Sequence, residues 1–287
     1  MKFGYFLSAV LLLSISTGNA QDQRSIIVDN LVKQTVVRKD IRYNQSGRPL
    51  LLDIYYPASY NGGILPCIVW IHGGALVDTS LKKDYDLIRW GTSLSAINGF
   101  IAVSVDYRLL GEAPLPSAIE DCFTAIRFLK ANALQYGIDT TRIGVVGESA
   151  GGYLAGFCAF SSNDDTFKTR DWQQYSNRIN SAVLWYPATN YKGYYIPDYI
   201  SEGDVPVLLI HGDNDRLVHI CHSYLIEESC RNNNVAVEME IIKGADHGFF
   251  KDLSNTSADF DIYKDNMETA IRLTIENFKK MFNYKGL

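Results

Sequence analysis

Gly147-Glu148-Ser149-Ala150-Gly151-Gly152 decides how the rest of the chain reads. It joins a short apolar, β-branched run, Ile143-Gly144-Val145-Val146, to an apolar helical run, Tyr153-Leu154-Ala155-Gly156-Phe157-Cys158. A serine therefore sits on the turn between strand and helix, in the Gly-x-Ser-x-Gly pattern of a nucleophile elbow. So sharp a turn crowds the backbone, and glycines at 147 and 151 remove the side chains that would collide while Ser149 is held strained. The helix that follows aims its free N–H groups and the positive end of its dipole at any anion forming beside the serine, which favours acyl transfer. Alone, the motif reads equally as a glycine-rich turn, so its surroundings must carry the assignment.

Upstream, Thr35-Val36-Val37 and Leu50 to Tyr56 read as strands of an antiparallel lead-in, separated by turn residues Asn44 to Pro49. Cys67 to Ile71 is apolar without a break, as suits a strand covered on both faces. Strand and helix then alternate. The pattern predicts a helix over Lys82 to Ile97, a strand over Phe100 to Val105, and a helix over Ser117 to Tyr136 with Ser117-x-x-Glu120 as capping box and Gly137 as stop. Beyond the elbow it predicts strands at Ser181 to Trp185, Val205 to Ile210 and Val235 to Ile242, with a helix between the last two. A closing amphipathic helix carries Phe260, Tyr263, Met267, Ile271, Ile275 and Phe278 on one face. This is an α/β chain with a mostly parallel central sheet and helices on both faces. In such sheets ligands bind at the carboxyl ends of the strands, where His72-Gly73-Gly74-Ala75, Ser149, Asp215 and His247 all fall.

Residues 1–20 read as a signal peptide: Lys2, an apolar stretch from Phe3 to Ile15, and Gly18-Asn19-Ala20 as a small-x-small cleavage site. The apolar run is shorter than the roughly 18 to 20 residues a membrane span needs. Residues 21–287 contain no repeat or low-complexity linker and read as one catalytic domain, secreted or periplasmic, with no membrane partner after cleavage. The formal net charge of −5 argues against nucleic acid as a partner. The five cysteines share no metal-ligand spacing and read mainly as buried small hydrophobes, and acyl transfer by a serine requires no metal or other cofactor.

Five segments, Ile71-His72-Gly73-Gly74, Asp106-Tyr107-Arg108-Leu109, Gly147 to Gly152, His211-Gly212-Asp213-Asn214-Asp215 and Asp246-His247-Gly248-Phe249, carry a resemblance. In that order they resemble the α/β-hydrolase fold, and within it the hormone-sensitive-lipase-like carboxylesterases with a His-Gly-Gly oxyanion motif. The secreted acetyl-xylan and feruloyl esterases of gut and rumen bacteria are similar. The resemblance implies Ser149 as nucleophile and His247 as base, since His247 alone among five histidines follows the acid in the Ser, Asp, His order of this fold. The acid is Asp215 or Asp213. The family pattern His-Gly-x-x-Asp matches Asp215, leaving Asp213 as a turn residue. Asp246 reads as loop polar surface, and Glu148 as a support beside the nucleophile.

Ala150 N–H at the helix start is one expected oxyanion donor, and the loop Gly73-Gly74-Ala75 supplies the others, with Gly74 and Ala75 favoured by the resemblance. Ala75 departs from the commoner triple glycine. The stretch Tyr186 to Tyr199 offers Tyr186, Tyr191 and Tyr194 as candidate substrate contacts, with loop packing as the plain alternative. The inserts are too short for a large cap, so an open cleft and short acyl groups on bulky alcohols are expected. The reading is a serine ester hydrolase for acetyl or feruloyl esters, small or on plant polysaccharide. The alternatives are an aryl formamidase or small peptidase on the same scaffold, or a non-catalytic binding protein.

Overall fold

In the computed structural model, residues 20–162, 164–167, 171–252, 254 and 259–287 are described. Residues 1–19, almost all of the expected signal peptide, lie outside them. The helices are α1 (Ala20–Val32), α2 (Asp86–Ile97), α3 (Ser117–Ala131), α4 (Ala133–Tyr136), α5 (Ala150–Phe160), α6 (Cys221–Asn232) and α7 (Phe260–Met281). Strands are β1 (Thr35–Arg42), β2 (Leu51–Pro57), β3 (Leu65–Ile71), β4 (Ile101–Val105), β5 (Ile138–Glu148), β6 (Ser181–Trp185), β7 (Asn190–Tyr191), β8 (Tyr194–Tyr195), β9 (Val207–Gly212) and β10 (Val237–Ile242).

One eight-stranded sheet runs β1-β2-β4-β3-β5-β6-β9-β10, and β7 and β8 form a separate antiparallel pair. The lead-in is antiparallel, β1 on β2 and β2 on β4, and every other neighbour pair is parallel. The unbroken apolar strands are explained by two cores. Cys67, Val69 and Ile71 of β3 face one side, where Ile119 and Phe123 of α3 and Leu154 and Phe157 of α5 cover them. Ile68 and Trp70 face the other, against Ile88 and Trp90 of α2 and Met267, Ile271 and Phe278 of α7. Successive strand residues point to opposite faces, so a strand covered on both sides must be apolar throughout.

Three boundaries differ from the sequence reading. Helix α2 begins at Asp86 rather than Lys82, because buried Lys83 is pinned by Asp53 (2.7 Å) and Asp40 (2.9 Å) while its N–H donates to Asp106 (3.1 Å). The expected capping box is absent: Pro116 is the N-cap of α3, Ser117 is already helical, and the Glu120 carboxylate turns to Arg108 (3.5 Å). The helix expected to reach Tyr136 breaks at Asn132, and Gly137 then ends α4 at φ 70°. A fourth difference bears on the site. Helix α1, which the sequence pattern did not predict, precedes the first strand and seats Val28, Ile27, Leu31 and Val32 on the α2 and α7 side of the sheet. The five cysteines are free thiols, buried except for Cys221.

Candidate active site

The carboxyl ends of β3, β5 and β9 and the loop after β10 meet at Ser149. Backbone strain is concentrated there: Ser149 has φ 55° and ψ −117°, and its N–H is tied to the Trp185 carbonyl (2.9 Å). Only glycine fits on either side. A Cβ on Gly147 would lie 2.0 Å from the Gly151 carbonyl oxygen, and one on Gly151 would lie 2.1 Å from that of Ile71. The turn presents the hydroxyl to the cleft, and α5 starts immediately after it.

His247 Nε2 lies 3.0 Å from Ser149 Oγ, and His247 Nδ1 lies 2.8 Å from Asp215 Oδ2. Asp215 is buried, and its Oδ1 accepts from Leu217 N–H (2.9 Å) and Val218 N–H (2.7 Å). Burial alone would push its carboxyl up. Hydrogen bonds from His211 and His247 override that and hold it well below the usual carboxylate range. Since carbonyls only accept, His211 Nε2–H donates to Val218 O (2.8 Å); that nitrogen also lies 3.4 Å from Asp215 Oδ2. A charged Asp215 facing Nδ1 fixes the histidine tautomer whose Nε2 can accept the serine proton.

The turn carrying His247 is held from below. Asp246, expected on the surface, is instead buried: its Oδ1 accepts from His247 N–H (2.8 Å) and Arg216 N–H (3.0 Å), and its Oδ2 from Arg216 Nε (2.9 Å). The two acidic residues thus divide the work, Asp215 orienting the ring and Asp246 its backbone. Asp213 behaves as a turn residue, accepting from Gly244 N–H (2.5 Å).

The loop after β3 supplies the other wall. Gly73 N–H donates to Glu148 Oε1 (2.5 Å), which removes Gly73 from the expected oxyanion donors. Gly74 and Ala75 line the cleft at φ 98° and 51°. Their N–H groups and that of Ala150 have no acceptor among the described residues. These three remain available to an oxyanion. Ala75 adopts a conformation that ordinarily calls for glycine. The loop is braced by the Tyr107 hydroxyl, 2.8 Å from the His72 carbonyl and 3.0 Å from that of Gly73, and by the His72 ring stacked on Tyr107 at 4.3 Å. Burial pushes His72 down to about 4, so it is neutral and donates from Nδ1 to Gly73 O (2.9 Å).

Glu148 connects the two walls. Besides Gly73 N–H it accepts from the hydroxyls of Tyr85 and Tyr186 (3.3 Å to the latter). Burial raises its pKa, partly offset by those donors. Tyr186 also meets the His247 ring edge-on at 4.7 Å, so this tyrosine lines the cleft as a buried brace rather than an exposed platform. Tyr191 and Tyr194 do not line the cleft. They form the β7/β8 pair and pack on the core beneath α5, where the Tyr194 carbonyl accepts from Tyr153 Oη (3.0 Å). Alternation on a two-strand ribbon turned them inward.

The cleft itself has a volume of about 830 Å³. Part of its wall comes from α1, whose Gln21, Arg24 and Ser25 the sequence reading missed. That helix has only a short apolar stripe and no cap signal to announce it. Among the described residues no cluster of His, Cys, Asp and Glu could hold a metal ion.

The eight-stranded, mostly parallel sheet, the strained serine elbow and the Ser149, His247 and Asp215 chain define an α/β-hydrolase. The BD-FAE family profile matches residues 52–198, just over half of the chain, and the chain belongs to that family. It is 33% identical over 171 residues to Esterase LipI of Mycobacterium tuberculosis, covering 59% of this chain and 49% of that protein. The chain spans about half the length, or less, of the curated relatives it matches first. Two solved structures share the fold. A truncated carbohydrate esterase from gut microbiota has a TM-score of 0.65 at 19% identity, covering 83% of this chain and 98% of its own. Apo esterase 2 of Thermogutta terrifontis has a TM-score of 0.69 at 23% identity, covering 86% and 96%.

Proposed function

We propose that this chain is an exported serine carboxylic-ester hydrolase for short acyl or feruloyl esters, including those on plant polysaccharide. The observation that carries the reading is the Ser149 Oγ to His247 Nε2 to Asp215 relay, at 3.0 and 2.8 Å, beside a loop and a helix start whose Gly74, Ala75 and Ala150 N–H groups have no acceptor among the described residues. His247 takes the serine proton as Oγ adds to the ester carbonyl. The oxyanion is held by Ala150, Gly74 and Ala75 N–H, and each such donor contributes about 3 to 4 kcal/mol to the transition state. Collapse expels the alcohol, which leaves with the proton from His247. Water then adds to the acyl-enzyme by the same route and releases the acid.

The esterase names of the relatives support the chemistry, and the carbohydrate esterase among the fold neighbours supports a sugar-borne alcohol. Exposed Val77 and Leu217 at the rim suit a bulky leaving group, and the leader-like residues 1–20 support export. The test is acetate released from acetylated xylan, set against 4-nitrophenyl acetate turnover with Ser149→Ala as blank. Release that depends on Ser149 supports the polysaccharide reading. Turnover of the small ester alone reduces it to a general carboxylesterase, and faster cleavage of matched anilides than of esters replaces it with an amidase.

A further inference from the structure

The acidic side chains lining the cleft are already committed. Asp78 accepts from Ser80 N–H (2.8 Å) and Ser80 Oγ–H (2.6 Å). Asp86 accepts from Ser25 Oγ–H (2.7 Å) and pairs with Arg89 (3.1 Å). Glu148 is held by Gly73, Tyr85 and Tyr186. Among the described residues, Arg24 of α1 is the one Lys or Arg side chain lining the cleft, and it is not committed. Among the described residues it makes no hydrogen bond or ion pair, and its Nε is buried without a partner.

What holds Arg24 is aromatic. Its guanidinium lies over the Tyr263 ring at 4.6 Å and the Phe250 ring at 5.5 Å, and those two rings stack on each other at 4.5 Å. A guanidinium has two directions of bonding. Its flat face meets π-systems and its edge carries a rigid fork of N–H donors matched to a carboxylate. Here the face is occupied, and the edge makes no hydrogen bond among the described residues. A buried, unpaired donor on a cation is costly, and a bidentate anion relieves that cost. Because the stack fixes the plane of the fork, little side-chain entropy is lost on binding.

Building on the ester-hydrolase reading, we propose that Arg24, seated on Tyr263 and Phe250, is a carboxylate-recognition subsite that selects esters bearing a second, anionic group. The carboxylate can sit on the acyl side, as in a dicarboxylic half-ester, or on the alcohol side, as in an acylated uronic acid.

Two matched pairs separate these sources: mono-4-nitrophenyl fumarate against its terminal amide, and 4-acetoxybenzoate against 4-acetoxybenzamide. The quantity read is the kcat/KM ratio of charged to neutral ester, in wild type and in Arg24→Gln. Comparing the variant with wild type cancels the difference in leaving-group reactivity within each pair. The expected result is a fall in that ratio of about tenfold or more in at least one pair, the size of one charge-assisted fork. The pair that responds identifies the side. Arg24→Lys, which keeps the charge without the fork, retains only part of the preference. Added salt erodes the wild-type ratio, which gives a readout if Arg24→Gln fails to fold. A ratio that moves less than about threefold in both pairs overturns the proposal. If wild type cleaves neither neutral ester, the hydrolase reading has failed separately. Calorimetric binding of 4-acetamidobenzoate, tight in wild type and weakened in Arg24→Gln, then decides the subsite alone.

Discussion

Replacing Asp215 by Asn tests how the site chooses its histidine tautomer. Asp215 Oδ1 accepts from two backbone N–H groups, Leu217 at 2.9 Å and Val218 at 2.7 Å, while Oδ2 faces His247 Nδ1 at 2.8 Å. An asparagine has one acceptor atom, and the two fixed backbone donors claim it. Its NH2 must then point at His247 Nδ1, which is compelled to accept, so the proton moves to Nε2 and the base is blocked. The opposite flip restores the tautomer but turns an NH2 against two buried N–H donors, at about 1 to 3 kcal/mol for each group left unsatisfied. Both routes also forfeit the charge that stabilises the imidazolium. The two unsatisfied groups together come to about 2 to 6 kcal/mol, and with the lost charge kcat should fall about three to four orders of magnitude, in line with the same substitution in a serine protease. The assay is 4-nitrophenyl acetate turnover at neutral pH, with Asp213→Asn as the control for a general loss of acidity. A kcat for Asp215→Asn within about tenfold of wild type would refute the tautomer argument. The same carboxylate has a sign in stability. Its pKa is depressed on folding, so its contribution is complete above the ordinary value near 4 and is lost as pH falls below it. Asp215→Asn should therefore lose less stability than wild type on acidification from about pH 5 to 3.

Two further predictions follow from burial. Gly151→Ala should prevent stable folding or cost more than about 3 kcal/mol, because its Cβ would sit 2.1 Å from a backbone carbonyl that cannot rotate away; urea unfolding of the purified variant checks this, and a loss under about 1 kcal/mol would show that the elbow relaxes. Glu148 has its pKa raised by burial, so the folded chain holds that proton above the usual glutamate value near 4.3 and loses stability as pH rises through the folded value. Glu148→Gln removes the titration, and its Tm relative to wild type should climb as pH rises above the usual glutamate value; a constant or shrinking gap contradicts the sign.

Much of this was legible because periodicity and glycine placement are local. The two-sided strands announced themselves as unbroken apolar runs, and Gly147 and Gly151 stand where the turn leaves no room for a Cβ. What escaped were relations between distant segments. Asp246 looked like surface because nothing local reveals Arg216 reaching back to it at 2.9 Å. Gly73 looked like an oxyanion donor until Glu148, distant in sequence, was seen to occupy its N–H. Tyr191 and Tyr194 looked like a platform because composition does not say which way a short ribbon faces. Arg24 was passed over because α1 is weakly patterned and acquires meaning only where it meets Phe250 and Tyr263.

Acyl transfer at this site requires Ser149 to be a nucleophile made reactive by His247. The direct measurement is intact mass and peptide mapping after exposure to a fluorophosphonate, on wild type, Ser149→Ala and His247→Ala. A single adduct on the peptide containing Ser149, absent from Ser149→Ala and slowed about a thousandfold or more in His247→Ala, is the predicted result. An unlabelled wild type, or one labelled equally fast without His247, would contradict it.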